Sequence, residues 1–278
     1  MRNLLIHWKE MNFIHLLFFV AVFIISDRGK EIKIIPGHAH NDYENKIPLL
    51  EAIENGFISV EVDVHLIDDN LYISHDLPQE LSPELTLETL YLDPLKDHVK
   101  RNNGRVYPDY PGVFYLMIDF KSAAKPSYDK LKEILIKYRS ILTIIENGVE
   151  QEGPVKIFIS GNRPINAILQ DEPKLAGIDG RPHDLMKNIP VSIMPVVSDN
   201  YFNVLSWNGN GEINNDEMEK LKSLVQNTHV QNKKLRLWAS PDNPDVWKFL
   251  LGNGLDLINT DDLQGFRQFI EEYNLAKE

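Results

Sequence analysis

Cysteine is absent from the 278 residues. That excludes disulfides, thiolate zinc sites, cysteine nucleophiles and cysteine-linked lipid anchors, and it does not by itself identify a compartment. Basic charge is scarce: 29 Lys and Arg stand against 41 Asp and Glu, a formal net charge of −12. No dense Lys/Arg cluster interrupts that balance, so no nucleic-acid partner is expected. A phosphate-bearing substrate is still compatible, because a bound divalent cation reverses the local field. The first β-rich run lacks a glycine-rich phosphate fingerprint and ends instead in Gly37-His38-Ala39-His40-Asn41-Asp42. That weakens a doubly wound, dinucleotide-type reading. Internal repeats and low-complexity segments are also missing.

One long apolar run is present. Residues 13–25 are apolar except for His15, with Arg2 and Lys9 ahead of them and Ser26-Asp27-Arg28 behind. The run is short of the ~20 residues of a comfortable bilayer span. It fits the core of a signal peptide. A poor small-x-small cleavage pattern keeps an uncleaved anchor open, and a buried helix is the plain alternative. Residues 1–30 are therefore read as a signal peptide or N-terminal membrane anchor. The protein is expected to be exported (secreted or periplasmic) or membrane-anchored. Residues 31–278 are read as one catalytic domain.

Hydrophobic residues at 43% and charged residues at 25% are ordinary for a globular domain with a sizeable core. Short β-rich runs fall at 32–36, 59–66, 113–120, 155–160, 176–179, 191–197, 235–239 and 255–259. Helical stretches are expected at 48–55, 85–101, 128–145, 165–170, 215–231, 244–251 and 262–273. Ser127 and Asn243 precede two of them as caps, and Pro244 suits a first helical position. Loops are expected at 102–111 and 208–215. Eight strands alternating with helices, in a chain near the ~250 residues typical of such domains, predict a single (β/α)₈ TIM barrel.

Active sites of such barrels sit at the C-terminal ends of the strands. The first strand leads to His38 and His40. In the second, Val60, Val62, Val64 and Leu66 share one face, and Glu61, Asp63 and His65 share the other, because side chains alternate. Adjacent inward carboxylates repel unless paired with a cation, and a hard ion such as Mg²⁺ or Ca²⁺ takes oxygen ligands. A salt-bridged pair is the simpler alternative. The third strand adds Asp119 as a third ligand and Lys121 as a group that steadies phosphate or carboxylate. His75-Asp76 brings a second histidine, so that one imidazole accepts a proton while another donates. Arg236 and Trp238 share a face near a late strand end, the indole either walling a substrate pocket or simply packing. Asn259-Thr260-Asp261 follows the last strand.

Taken in order, Gly37-His38 with Asn41, Glu61-x-Asp63, His75-Asp76, Asp119-x-Lys121 and Trp238 resemble the superfamily of glycerophosphodiester phosphodiesterases and phosphatidylinositol-specific phospholipases C. They also look like its sphingomyelinase D branch. The stretches Ile159-Ser160-Gly161-Asn162-Arg163-Pro164, Asp179-Gly180-Arg181 and Ile258-Asn259-Thr260-Asp261 look most like the branch named for altered inheritance of mitochondria. The likeness covers residues 34–269. It implies His38 and His75 as the general acid/base pair, and Glu61, Asp63 and Asp119 as ligands of Mg²⁺ or Ca²⁺. It implies Asn41, Lys121 and Trp238 as substrate or phosphate contacts, and His40 is grouped with them. The expected substrate is a phosphodiester small molecule or a phospholipid headgroup, with membrane association through the N-terminal segment. Two departures stand out: His-Ala-His-Asn replaces the His-Arg-Gly common in the glycerophosphodiester enzymes, and Asp119 stands where many of them have glutamate. Neither singles out glycerophosphodiester itself as substrate.

Two other readings fit parts of the pattern. His38-x-His40 at a first strand end also opens the metal site of amidohydrolases. Those need further histidines at later strand ends, where this chain offers none. A barrel that binds a phosphorylated ligand without turning it over is the second.

Overall fold

The β-rich runs become strands β1 (Ile35–Ala39), β2 (Phe57–Ile67), β4 (Phe114–Phe120), β7 (Val155–Gly161), β8 (Gly177–Gly180), β9 (Val196–Asn200), β10 (Lys234–Trp238) and β11 (Leu257–Thr260). The computed structural model describes residues 32–276. Expectations for residues 1–30 fall outside that span. Among the described residues no helix is long and apolar enough to cross a membrane.

The eight strands are parallel neighbours in the order β1-β11-β10-β9-β8-β7-β4-β2, and β1 pairs back onto β2. The sheet is thus a closed eight-stranded barrel, and the expected TIM barrel is what forms. Strand β3 (Asn70–Ile73) adds to β2 in antiparallel fashion. Helices follow most strands: α1 (Leu50–Glu54), α2 (Asp93–Arg101), α3 (Ala124–Ile136), α4 (Ile165–Gln170), α5 (Tyr201–Val204), α6 (Asn215–His229), α7 (Pro244–Gly252) and α8 (Leu263–Leu275).

Alternation along β2 does what its sequence predicts. Val60, Val62 and Val64 are wholly buried in the core between barrel and helices. Each such side chain contributes about 1.5–3 kcal/mol by leaving water. Inside the barrel a smaller apolar layer of Ile58, Tyr115, Met117, Phe158, Val196 and Leu257 fills the interior. Helix starts follow their cap residues: Asn243 Oδ1 accepts from Val246 N at 3.1 Å, and Asp262 Oδ1 from Gly265 N at 2.8 Å.

Four expectations are corrected. The helix expected at 128–145 is α3, which starts at Ala124, so Ser127 lies inside it rather than capping it. That helix stops at Ile136, and a hairpin of β5 (Ile144–Glu146) and β6 (Val149–Gln151) follows. Asn147-Gly148 makes its turn, with φ of 53° and 75°, as a two-residue hairpin loop requires. Residues 191–193 turn back on Pro190, which accepts from Ile193 N and Met194 N, so the strand expected at 191–197 begins only at Val196. The first strand is displaced toward the C-terminus from 32–36 to Ile35–Ala39, which puts His38 within the sheet.

Candidate active site

Register brings the polar residues together. His38 pairs with Ser59 on β2 and with Asn259 on β11. Asp63 pairs with Asp119, and Asp119 with Ser160. Above the apolar layer these strands open into a cavity of about 240 Å³, lined by His40, Asn41, Glu61, His75, Asp119, Lys121, Ser160, Arg181, Arg236 and Trp238.

Glu61, Asp63 and Asp119 each bring a carboxylate oxygen within 4.8 Å of the other two. Each carboxylate has one oxygen engaged by protein donors. Glu61 Oε2 accepts from Arg236 Nη2 at 2.6 Å. Asp63 Oδ2 accepts from Tyr43 at 2.9 Å and lies 3.1 Å from Lys121 Nζ, which is also 3.2 Å from Asp119 Oδ1. Among the described residues no donor meets the other oxygens, and Asp63 Oδ1 is buried with no hydrogen-bond partner. Such an orphan costs about 1–3 kcal/mol unless something outside the chain meets it. Burial, reinforced by the neighbouring carboxylates, raises Asp63 and Asp119 above the usual range despite Lys121. Glu61 goes the other way: burial would raise it, but the Arg236 charge and the His38 hydrogen bond hold it well below. A crowded set of all-oxygen donors with a buried orphan fits a hard divalent cation.

The two histidines whose side chains reach the cavity are His40 and His75. His40 Nδ1 lies 2.8 Å from Asp261 Oδ1. Burial would lower the His40 pKa, but the Asp261 hydrogen bond and the Glu61 and Asp261 charges outweigh it and raise it. His75 Nδ1 lies 3.1 Å from Asp76 Oδ1, and its side chain is 60% exposed. His65 Nε2, facing the His75 carbonyl at 3.2 Å, steadies that turn. His38 is placed differently. It is fully buried beneath the cavity, with Nδ1 2.7 Å from Ser59 Oγ and Nε2 3.1 Å from Glu61 Oε2. Burial and the Arg236 charge lower its pKa to about 4, against the pull of Glu61. Both His38 nitrogens and His40 Nδ1 thus have protein partners, unlike the paired metal-ligand histidines of the amidohydrolase reading.

The opposite wall holds residues the sequence left without a role. Arg181 Nη1 donates to Asp179 Oδ2 at 2.6 Å and Arg181 Nη2 to Ser160 Oγ at 3.1 Å. Asp179, wholly buried, also accepts from Ser160 and Ser198. Both Ser160 and Arg181 lie in the stretches that carried the branch resemblance. Trp238 stands at the rim, 37% exposed. Asn41 holds φ 44° and ψ 44°, a left-handed conformation that asparagine tolerates.

A model of the AIM6-like phosphodiesterase domain matches residues 26–175, more than half of the chain. The chain belongs to that family. Curated AIM6 relatives align with most of the chain. The "Altered inheritance of mitochondria protein 6 homolog" of Arthroderma benhamiae is 27% identical over 273 residues, covering 88% of this chain and 86% of its own. "Altered inheritance of mitochondria protein 6" of Kluyveromyces lactis is 27% identical over 313 residues, covering 88% and 75%. Among solved structures, glycerophosphodiester phosphodiesterase from Agrobacterium tumefaciens superposes with a TM-score of 0.49 at 11% identity, over 86% of this chain and 99% of that one. Phosphatidylinositol-specific phospholipase C from Listeria monocytogenes gives 0.47 at 12%, over 80% and 81%. The AIM6-like branch of the motif resemblance is borne out by the family match and these relatives. The barrel itself rests on the strand pairing above.

Proposed function

We propose that this AIM6-like domain hydrolyses phosphodiesters with the help of a divalent cation, Mg²⁺ or Ca²⁺, held by Glu61, Asp63 and Asp119. The observation that carries this reading is the buried Asp63 Oδ1, partnerless among the described residues, within three converging carboxylates of which Glu61 and Asp119 line the cavity that His40 and His75 reach. A bound cation would supply positive charge against a phosphate oxygen and draw electron density from phosphorus.

The protein's own groups do the rest. Asp261 accepts from His40 Nδ1–H and Asp76 from His75 Nδ1–H, which leaves each Nε2 free to exchange a proton. One of these imidazoles takes the proton of the attacking oxygen, and the other protonates the departing alkoxide. The attacking oxygen belongs to water or to a neighbouring hydroxyl of the substrate. In this reading His40 takes the acid/base position expected of His38, because a ring with no exposure and both nitrogens bonded does not meet a substrate. Lys121, Asn41 and Arg181 offer donors to the phosphate and the headgroup, and Trp238 an apolar rim. The substrate class is a glycerophosphodiester or phospholipid headgroup.

The test is an assay of protein lacking residues 1–30 on bis(p-nitrophenyl) phosphate and glycerophosphodiesters. Turnover abolished by EDTA and restored by Mg²⁺ or Ca²⁺ is expected. Rescue by Zn²⁺ alone, or turnover indifferent to EDTA, would overturn the cation assignment. Protein that binds a cation yet turns over none of these diesters would favour a binding role.

A further inference from the structure

Four adjacent strands carry one buried hydrogen-bonded arc. Ser59 and Glu61 lie on β2, His38 on β1, Asn259 on β11 and Arg236 on β10, and these strands neighbour one another across the barrel's closure. Ser59 Oγ is 2.7 Å from His38 Nδ1, and His38 Nε2 is 3.1 Å from Glu61 Oε2. Arg236 Nη2 reaches the same Oε2 at 2.6 Å. Asn259 Oδ1 accepts from Arg236 Nε at 3.0 Å and Nη2 at 2.7 Å. All five residues are buried. An ionised carboxylate only accepts, so the hydrogen between His38 and Glu61 sits on Nε2. Two donors thus converge on one Glu61 oxygen, and among the described residues none reaches Oε1.

We propose that His38 is a positioning residue that, together with Arg236, pins Glu61 by Oε2 and so presents Oε1 to the cation as a single fixed donor. The inference rests on the cation reading above. A carboxylate free to rotate would offer either oxygen or both, and an ion site gains affinity when its ligands are held from behind by hydrogen bonds. The arrangement also accounts for a histidine in a ligand-rich segment that meets neither cavity nor solvent.

The test is Mn²⁺ binding to the full chain, read by electron paramagnetic resonance. His38→Leu removes the donor to Glu61, whereas His38→Gln keeps an amide N–H near the Nε2 position. His38→Leu is expected to raise the Mn²⁺ Kd about 10–100-fold, the usual scale for residues behind a metal ligand. His38→Gln is expected to stay within about threefold of the unaltered chain and to keep kcat on bis(p-nitrophenyl) phosphate within about tenfold. Unchanged Kd in His38→Leu overturns the inference. So does a His38→Gln protein that binds Mn²⁺ normally but has lost turnover, since that would make His38 the proton-transfer group. An unaltered chain that binds no Mn²⁺ brings down the cation reading itself, and the positioning role with it. If His38→Leu does not fold, Ser59→Ala decides: it removes one buried hydroxyl that orients the ring, and a Kd rise of about threefold or more is expected, with no rise counting against the inference.

Discussion

His40 Nδ1 and Asp261 Oδ1 lie 2.8 Å apart, joining the end of the first barrel strand to the turn after the last. The Asp261 side chain is 72% exposed, so the pair is screened by solvent and orients the imidazole more than it stabilises the fold. Asp261 itself is held by its backbone N–H, which donates to Asp242 Oδ2 at 2.9 Å.

Asp261→Asn is therefore expected to fold normally and to lose about 10-fold in kcat, against about 10²–10⁴-fold for His40→Ala. The sign on pH follows from the His40 pKa, which Asp261 helps to raise above its ordinary value. Removing that charge lowers it. The limb of the kcat profile that reports His40 should move to lower pH in Asp261→Asn, and an unmoved limb with unchanged kcat would remove His40 from the reaction. Steady-state kinetics across pH 5–9 on bis(p-nitrophenyl) phosphate make the measurement.

Gly161 supplies a second prediction. Its φ is +62°, and a Cβ there would collide with Asp119 Oδ1 and the Phe120 carbonyl. Gly148 has a similar φ of +75° with open space around it. Gly148→Ala should cost about 1–2 kcal/mol of stability from backbone strain alone and leave turnover intact. Gly161→Ala should cost at least as much and also displace Asp119, lowering divalent-cation affinity about 10-fold or more. Thermal melting with and without Mg²⁺ separates the two: the melting shift that Mg²⁺ gives should survive in Gly148→Ala and shrink in Gly161→Ala.

Asp184 predicts an acid-dependent stability. Its wholly buried carboxylate accepts from Arg163 Nη1 and Lys187 Nζ at 2.7 Å each and from Arg181 N at 2.9 Å. Burial would raise its pKa, but the Lys187, Arg163 and Arg181 N–H bonds outweigh it and bring the value to about 2. A carboxylate depressed in the folded state stabilises above its unfolded pKa and loses that contribution as pH falls through the folded one. The contribution is about 2 kcal/mol at neutral pH, fading between pH 5 and pH 2. Urea unfolding of native and Asp184→Asn proteins should show a stability gap that narrows by about that amount across this window, and a gap constant with pH would refute the assignment.

Much of this was legible in the residues. The closed barrel followed from eight β-rich runs, and the carboxylate cluster from alternation in Glu61-x-Asp63 and Asp119-x-Lys121. The hairpin at β5 and β6 carried a signal too, the Asn147-Gly148 pair, but its first strand overlaps the apolar-rich end of the stretch 128–145, whose spacing also suits a helix. The placement of His38 turned on a boundary. A start at residue 32 rather than Ile35 puts His38 past the strand end, and a displacement of three residues moves it from the mouth to the interior. Boundaries are set by tertiary pairing, here with Ser59 and Asn259, which no local pattern contains. Ser160 and Arg181 showed only as a family likeness, because their meeting with Asp179 depends on neighbouring strands.

Two tryptophans give the last prediction, and their environments point in opposite directions. Trp238 ends β10 at the cavity rim and is 37% exposed. Trp247 on α7 is buried against Phe266 and Phe269, at ring-centroid distances of 5.3 and 5.5 Å, and its indole N–H donates to Asp242 Oδ1 at 2.8 Å. Removing the buried ring leaves a cavity, so Trp247→Ala should cost about 3–5 kcal/mol. Because Asp242 also accepts from the Asp261 backbone, some loss of turnover should accompany it. Trp238→Ala should change the melting temperature little, since the ring gives up few buried contacts. Its effect belongs to the substrate: KM should rise several-fold for diesters with an apolar portion long enough to reach the rim, with kcat nearly unchanged, because a binding contact made equally in ground and transition states moves KM alone. A fall in kcat with KM fixed would instead place the indole against the reacting phosphate, inside the cavity rather than at its edge.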